Sequence, residues 1–307
     1  MTGSDVFLTG ATGFVGPAVL AELQRSGRSV SALVRQLVDV PGARAVVGRL
    51  GALGEIADEV TGCGSIVHLA SGRTTDRDRV IMEDVLGTAD LIDAWQRGPF
   101  VYGSTTTVHG IPRGVLDTTT PVAIVDWYDC GKVVNEFQVR DAAGGGPAGG
   151  RGAGVSLRPT LYFGADQRPP DRQYLGLFLR LSLDGQALTF DSEEAMATIG
   201  AAFVGTGDFG RAVVAALDRA PTGAFPIASG FVTWHDLVET MNRAAGGRAR
   251  CVVAPAGPTG PGEFRAGHSR TEVDSSAFSQ ATGWQPTQGL DELVAAYVQG
   301  ERAVGRI

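Results

Sequence analysis

Cysteine is scarce in this sequence: Cys63, Cys130 and Cys251 are the only three in 307 residues. An odd, scattered trio provides neither a disulfide framework nor the paired spacing of a zinc site, so no metal is expected. Long apolar runs are missing too. None approaches the roughly 20 residues that cross a bilayer, and the N-terminus lacks the basic stretch and apolar core of a secretory leader. Positive charge is in deficit, with 26 Lys and Arg against 33 Asp and Glu, a net charge of -7 and a pI near 5.2. That balance argues against nucleic acid or an anionic membrane as partner. The expectation is a soluble, cytoplasmic protein that acts on a small molecule. Its length suffices for one large domain or for a domain with a smaller lobe.

What the chain does have, at its start, is a glycine turn between a strand and a helix. Val6, Phe7 and Leu8 form an apolar run that reads as a strand buried in a parallel sheet. Gly10, Gly13 and Gly16 follow, and then the helical pattern Val19, Leu20, Leu23. Gly10 permits the tight turn, Gly13 lets backbone N–H groups approach a pyrophosphate, and Gly16 lets the helix pack close to the sheet. The pyrophosphate would rest on orphan N–H groups at the positive end of the helix. A second strand, residues 29–34, ends at Arg35. An acidic residue there suits the ribose 2′-hydroxyl of NAD, whereas an arginine suits the 2′-phosphate of NADP. Arg35 therefore points to NADP, with NADPH favoured over NADH.

Further strands are expected at 45–47, 65–69 and 100–102, with a helix over 53–60 and a long one over 79–95. His68 reads as a packed histidine beside the cofactor. The strand at 100–102 runs into Gly103-Ser104-Thr105-Thr106-Thr107-Val108-His109-Gly110. Hydroxyls at the carboxyl end of a parallel strand lie where such folds bind ligands. Asp126-Trp127-Tyr128-Asp129-Cys130-Gly131-Lys132 opens the next helix, and Tyr128 and Lys132, four apart, share one face of it. Residues 141–154 read as a glycine-rich loop within the first domain, because Val155-Ser156-Leu157 looks like the next strand of the sheet. Beyond Gly164, helices are expected at 174–183, 208–217 and 235–241, and strands at 187–190 and 225–228.

Taken in order, the strand, glycine turn, helix, hydroxyl cluster and Tyr-x-x-x-Lys resemble the extended short-chain dehydrogenase/reductase family, that of the NAD-dependent epimerases and dehydratases. Further matches are His68-Leu69-Ala70, Val85-Leu86-Gly87-Thr88, Leu157-Arg158-Pro159 before Phe163-Gly164, and Thr282-Gly283-Trp284-Gln285-Pro286. The resemblance runs from Val6 to about Tyr297. It implies an α/β fold, a doubly wound parallel (Rossmann) sheet with a smaller carboxyl-terminal substrate lobe. Residues 1–164 would form the dinucleotide-binding domain and 165–307 mainly the lobe, with some later segments returning to the first. Cofactor contacts are implied for Gly10, Thr12, Gly13, Phe14, Val15, Gly16, Arg35, Leu69, Ala70 and Lys132. Tyr128 would donate the proton in ketone reduction, its anion favoured by Lys132. Thr105 would polarise the carbonyl, with Ser104 as the alternative. Helix pairing of the kind common in the family would make a homodimer.

The carboxyl half is most similar to actinobacterial ketoreductases that act on C4 of dTDP-linked 4-keto-6-deoxyhexoses in natural-product deoxysugar and antibiotic biosynthesis. That likeness rests on Asp184-Gly185-Gln186-Ala187-Leu188-Thr189 and Glu272-Val273-Asp274-Ser275-Ser276-Ala277-Phe278. There are departures. The family's diphosphate arginine is matched by Ala201, its sugar-contacting asparagine by Leu161, its acidic residue near the adenine by Arg49, and another asparagine by Asp84. Arg168, Arg172 or Arg265 would then have to meet the diphosphate. The alternatives are a reductase or epimerase of a non-nucleotide ketone, and a non-catalytic member of the family. The trio of Tyr128, Lys132 and a hydroxyl favours an enzyme.

Overall fold

Val6–Thr9 (β1), Val30–Val34 (β2), Ser65–His68 (β4), Phe100–Gly103 (β5) and Gly154–Pro159 (β7) are buried at every position. Strands with no wet face belong in a parallel sheet covered by helices on both sides. The computed structural model has that arrangement; it describes residues 5–307 apart from 53, 55, 73, 111–113, 145–149, 166–173, 256–263 and 268. With Arg44–Val47 (β3) and Gly223–Ile227 (β11), these strands form a seven-stranded sheet ordered β11-β7-β5-β4-β1-β2-β3. Every neighbouring pair is parallel. The order reverses between β1 and β4, which is where such sheets open a ligand crevice at their carboxyl ends.

Alternation along the strands divides the core. Val6 and Leu8 face a cluster completed by Val19, Leu20 and Leu23 of the Gly16–Arg25 helix and Val213 of the Thr206–Arg219 helix. Phe7 points the other way, toward Leu91, Trp95, Phe100 and Val139. A third cluster, centred on Phe178, Phe203 and Leu237, holds the lobe. Its sheets are Gly114–Leu116 (β6), Leu161–Phe163 (β8), Gly200–Gly205 (β10), Gly230–Thr233 (β12) and Arg270–Val273 (β15), and then Ala187–Phe190 (β9), Arg250–Val253 (β13) and Phe264–Arg265 (β14). Traffic between the two halves runs both ways. β6 leaves the first half to pair with β15, and β11 returns from the second to pair with β7.

One expected helix is interrupted. Residues 79–95 contain a π-helical segment, Val80–Val85, before the α-helix Leu86–Ala94. The Asp84 carbonyl there is taken by the Thr88 hydroxyl at 2.6 Å and by Asn135 Nδ2 at 3.2 Å. These side chains replace part of the regular ladder, and an inserted partner of that kind bulges a helix. The bulge seats against Gly131, where a Cβ would lie 2.6 Å from Val80 Cγ1. The segment Trp284 to Gln288 docks on buried Asp208, whose carboxylate accepts from the N–H groups of Thr287 (2.8 Å) and Gln288 (3.1 Å).

Candidate active site

The glycine turn is built for close approach. Gly10 has φ +80°, and a Cβ there would lie 2.8 Å from Ala70 N. At Gly16 a Cβ would lie 2.2 Å from Gly10 O and 2.3 Å from Ala11 O, so the helix start can sit on the turn only as glycine. Leu69 N donates to Thr9 O and Ala70 N to Thr9 Oγ1, both at 3.2 Å, which brings Leu69 and Ala70 against the turn. The helix that follows has no side-chain cap at Val15 and no acidic residue in its first turn. Its orphan N–H groups are therefore left to an anion. Thr12 and Gly13 are exposed above them. Phe14 packs edge-on against Tyr162, with centroids 5.9 Å apart. This cradle fits a dinucleotide pyrophosphate.

Across β1 and β4 lies the Trp127–Ala143 helix, capped by Asp126, whose side chain accepts from Asp129 N at 3.0 Å. Tyr128 is half-buried in its first turn, at the positive end of the helix dipole. Lys132 is 4% exposed and donates to Gly103 O at 2.7 Å. Its Nζ lies 5.6 Å from the Tyr128 ring centroid and 4.9 Å from that of Tyr102. Burial holds the Tyr102 phenol well above its ordinary range, so it stays neutral. Of the 26 basic residues in the chain, Lys132 alone is a lysine. Where any cation would serve, this sequence uses arginine. The sequence alone carries that count, and it singles out Lys132.

Thr105 and Ser104 separate cleanly. Thr105 is half-buried, and its Oγ1 accepts from Thr107 N at 3.2 Å. Thr107 spends its own proton on Asp129 Oδ1 at 2.6 Å, so the Thr105 proton is left for Thr107 Oγ1, 3.1 Å away, or for a ligand. Ser104, expected as the alternative donor, is turned inward and donates to Glu136 Oε1 at 2.5 Å. That correction follows from strand alternation: neighbours on an extended segment point to opposite sides. His68 is a packed residue, as expected. Thr88 donates to Asp84 O, so it can only accept from His68 Nε2 (2.9 Å), and Nδ1 then accepts from Thr9 at 2.6 Å. Burial, with Lys132 nearby, pushes its pKa down to about 3. Asp84 accepts from Ser71 Oγ (3.0 Å) and Gly72 N (2.9 Å), tying down the loop after β4.

The outer candidates divide differently. Arg35 is exposed and makes no hydrogen bond or ion pair with any described residue. Arg265, expected to meet a diphosphate, pairs instead with Asp191, and its Nη1 and Nη2 also reach the carbonyls of Ala254 and Pro255. Arg168 and Arg172 lie outside the described residues. Ala201 and Leu161 sit on the adjacent strands β10 and β8. One arginine beside them carries no local signal in the sequence: Arg270 stands opposite Gly200, stacked on Phe231 and paired with Glu272 at 2.7 Å.

A doubly wound parallel sheet with a glycine turn at its switch point is the mark of a dinucleotide-dependent α/β enzyme. The sequence profile of the NAD dependent epimerase/dehydratase family matches residues 6–228. The chain belongs to that family. It is 29% identical over 175 residues to the 2-alkyl-3-oxoalkanoate reductase of Shewanella oneidensis, covering 52% of this chain and 45% of that protein. It is 30% identical over 175 residues to the 4-hydroxy-2-methyl-3-oxo-4-farnesyl-3,4-dihydroquinoline-1-oxide ketoreductase of Stigmatella aurantiaca, covering 52% and 51%. The chain thus spans about half the length of these curated relatives. Among solved structures it is similar to MoeE5 in complex with UDP-glucuronic acid and NAD, with TM-score 0.77 and 24% identity over 98% of this chain and 99% of the other. That likeness establishes the fold.

Proposed function

We propose that this protein is an NADPH-dependent ketoreductase. The observation that carries the reading is Lys132, the one lysine in the chain, buried between two tyrosines and anchored on Gly103 O. The glycine turn and the first-turn N–H groups of the Gly16–Arg25 helix hold the pyrophosphate, Arg35 the 2′-phosphate and Lys132 the nicotinamide ribose. When bound, the cofactor supplies the hydride. Tyr128 gives its proton to the carbonyl oxygen, and Lys132 and the helix N-terminus stabilise the phenolate left behind. Thr105 donates a hydrogen bond to the same oxygen as charge develops on it. Arg35→Ala should raise the NADPH dissociation constant roughly 10- to 100-fold, the loss of one charged hydrogen-bonded contact. NADH should bind nearly as before, and equal losses by calorimetry for the two cofactors would remove the NADP assignment.

Two substrate readings separate on one titration. The carboxyl-half motifs support a dTDP-4-keto-6-deoxyhexose reduced at C4. A ketone without a nucleotide is supported by the uncharged Ala201 and Leu161, by the pairing of Arg265 with Asp191, and by the names of the two curated relatives. We favour the second. The protein–NADPH complex should then show no saturable heat with dTDP and should oxidise NADPH stoichiometrically with an apolar β-ketoester. Tight dTDP binding would restore the sugar nucleotide, and a product formed without net NADPH oxidation would make the enzyme an epimerase. Exposed Ile81, Met82 and Leu86, beside exposed Val134 and Phe137 on the neighbouring helix, form an apolar two-helix face suited to a homodimer. Sedimentation as a monomer would exclude that use.

A further inference from the structure

Tyr128, Lys132 and Glu136 follow at intervals of four and so rise along one face of the Trp127–Ala143 helix. Two of them grip consecutive residues at the end of β5. Lys132 donates to Gly103 O, and Ser104 donates to Glu136 Oε1. The chain position from which Thr105 departs is thereby stitched to two turns of the helix that carries Tyr128.

A glutamate one helical turn from a lysine ordinarily pairs with it. Here both carboxylate oxygens are taken. Arg158, on β7, reaches Oε1 through Nε at 2.8 Å and Oε2 through Nη2 at 2.5 Å, a bidentate fork. Its Nη1 lies 3.2 Å from His109 Nε2, which must accept, so His109 Nδ1 donates to Pro121 O at 3.0 Å. Burial lowers the His109 pKa, which keeps the imidazole neutral in this chain of contacts. Glu136 and Arg158 are only 8% and 7% exposed, so water screens neither.

Resting on the ketoreductase reading, we propose that Arg158 and Glu136 are positioning residues: Arg158 absorbs the charge of Glu136, so that the carboxylate one turn away does not weaken the field of Lys132 at Tyr128. The remaining groups around that face are few. Asp126 and Asp129 belong to the same helix, where Asp126 caps it and Asp129 accepts from Thr107. Asp84, from the π-helical segment, accepts from Ser71 and Gly72. His68 and His109 are held below their ordinary range and Tyr102 above its own, all three chiefly by burial, so they remain neutral. With Glu136 cancelled by Arg158, the charge balance at Tyr128 is set by Lys132 and the helix N-terminus on one side and by the carboxylates of Asp129, Asp126 and Asp84, bonded only to neutral donors, on the other. The phenolate formed during proton transfer depends on that balance.

The test reads two ionisations in the intact protein with NADP+ bound. Tyrosinate absorbance, taken as the difference from Tyr128→Phe protein, reports Tyr128. The NMR signal of isotopically labelled lysine reports Lys132 without assignment, since there is only one lysine. Arg158→Met frees the carboxylate, so in the alkaline range both midpoints should rise, by about tenfold in ionisation constant. Glu136→Gln leaves Arg158 unbalanced, and both midpoints should fall by a similar factor. The neutral double variant Glu136→Gln/Arg158→Met should return them to wild-type values. Should Arg158→Met fail to fold, Glu136→Gln and the double variant carry the test alone. Midpoints that move in the same direction in both single variants, or stay put in folded Glu136→Gln, would overturn the proposal and reduce the pair to a structural strut. Failure of the ketoreductase reading looks different: NADPH does not bind, or Tyr128→Phe retains turnover.

Discussion

Tyr128→Phe should cut ketone reduction by orders of magnitude and leave NADPH binding as it was. The variant keeps the ring, and with it the cation–π contact to Lys132 at 5.6 Å. Only the transferable proton is lost. General acid catalysis of this type contributes roughly 10²–10⁴-fold, so kcat should fall by that factor on any ketone the wild-type protein reduces. Single-turnover NADPH oxidation measures the chemical step, and a fluorescence titration of NADPH measures binding in the same samples. A variant with unchanged turnover would mean that the proton comes from elsewhere, and the whole site would have to be redrawn.

Lys132→Arg should be nearly as damaging, although it conserves charge. The Lys132 ammonium is a compact donor, 2.7 Å from Gly103 O and enclosed by Tyr102 and Tyr128. A guanidinium is planar, longer and forked, so it cannot occupy that space without displacing Tyr102 or the end of β5. Overpacking a buried site of this kind typically costs about 1–3 kcal/mol. The displaced charge would also face Tyr128 from the wrong place. Turnover should fall by roughly a hundredfold or more, with a parallel loss of NADPH affinity through the ribose contact. A fully active Lys132→Arg protein would show that position 132 needs only a positive charge. The solitary lysine would then be an accident of composition.

Much of the fold was legible in the sequence because it is local. The apolar runs at β1, β2, β4, β5 and β7 and the period of the main helices need only the pattern of neighbouring residues. The spacing of Gly10, Gly13 and Gly16 states a steric requirement that is tightest at Gly16, where a Cβ would lie 2.2 Å from Gly10 O. Tyr128 and Lys132 share a face because four residues make about one helical turn. The π-helical segment was not legible, because it depends on Asn135 reaching Asp84 from another helix. Nor was β6, whose three residues become a strand only when β15 arrives beside them.

By itself, then, the sequence determined the buried parallel strands, the glycine turn and the Tyr–Lys pair, since each of those features is written within a few residues. The tertiary structure decided what surrounds the pair. It turned Ser104 inward to Glu136 and set the Thr105 hydroxyl beside that of Thr107. It brought Arg158 onto Glu136 across 22 residues of chain and Arg265 onto Asp191 across 74. Charge pairing between groups so far apart in the chain follows from how the strands and helices cross, and no local pattern of side chains encodes it.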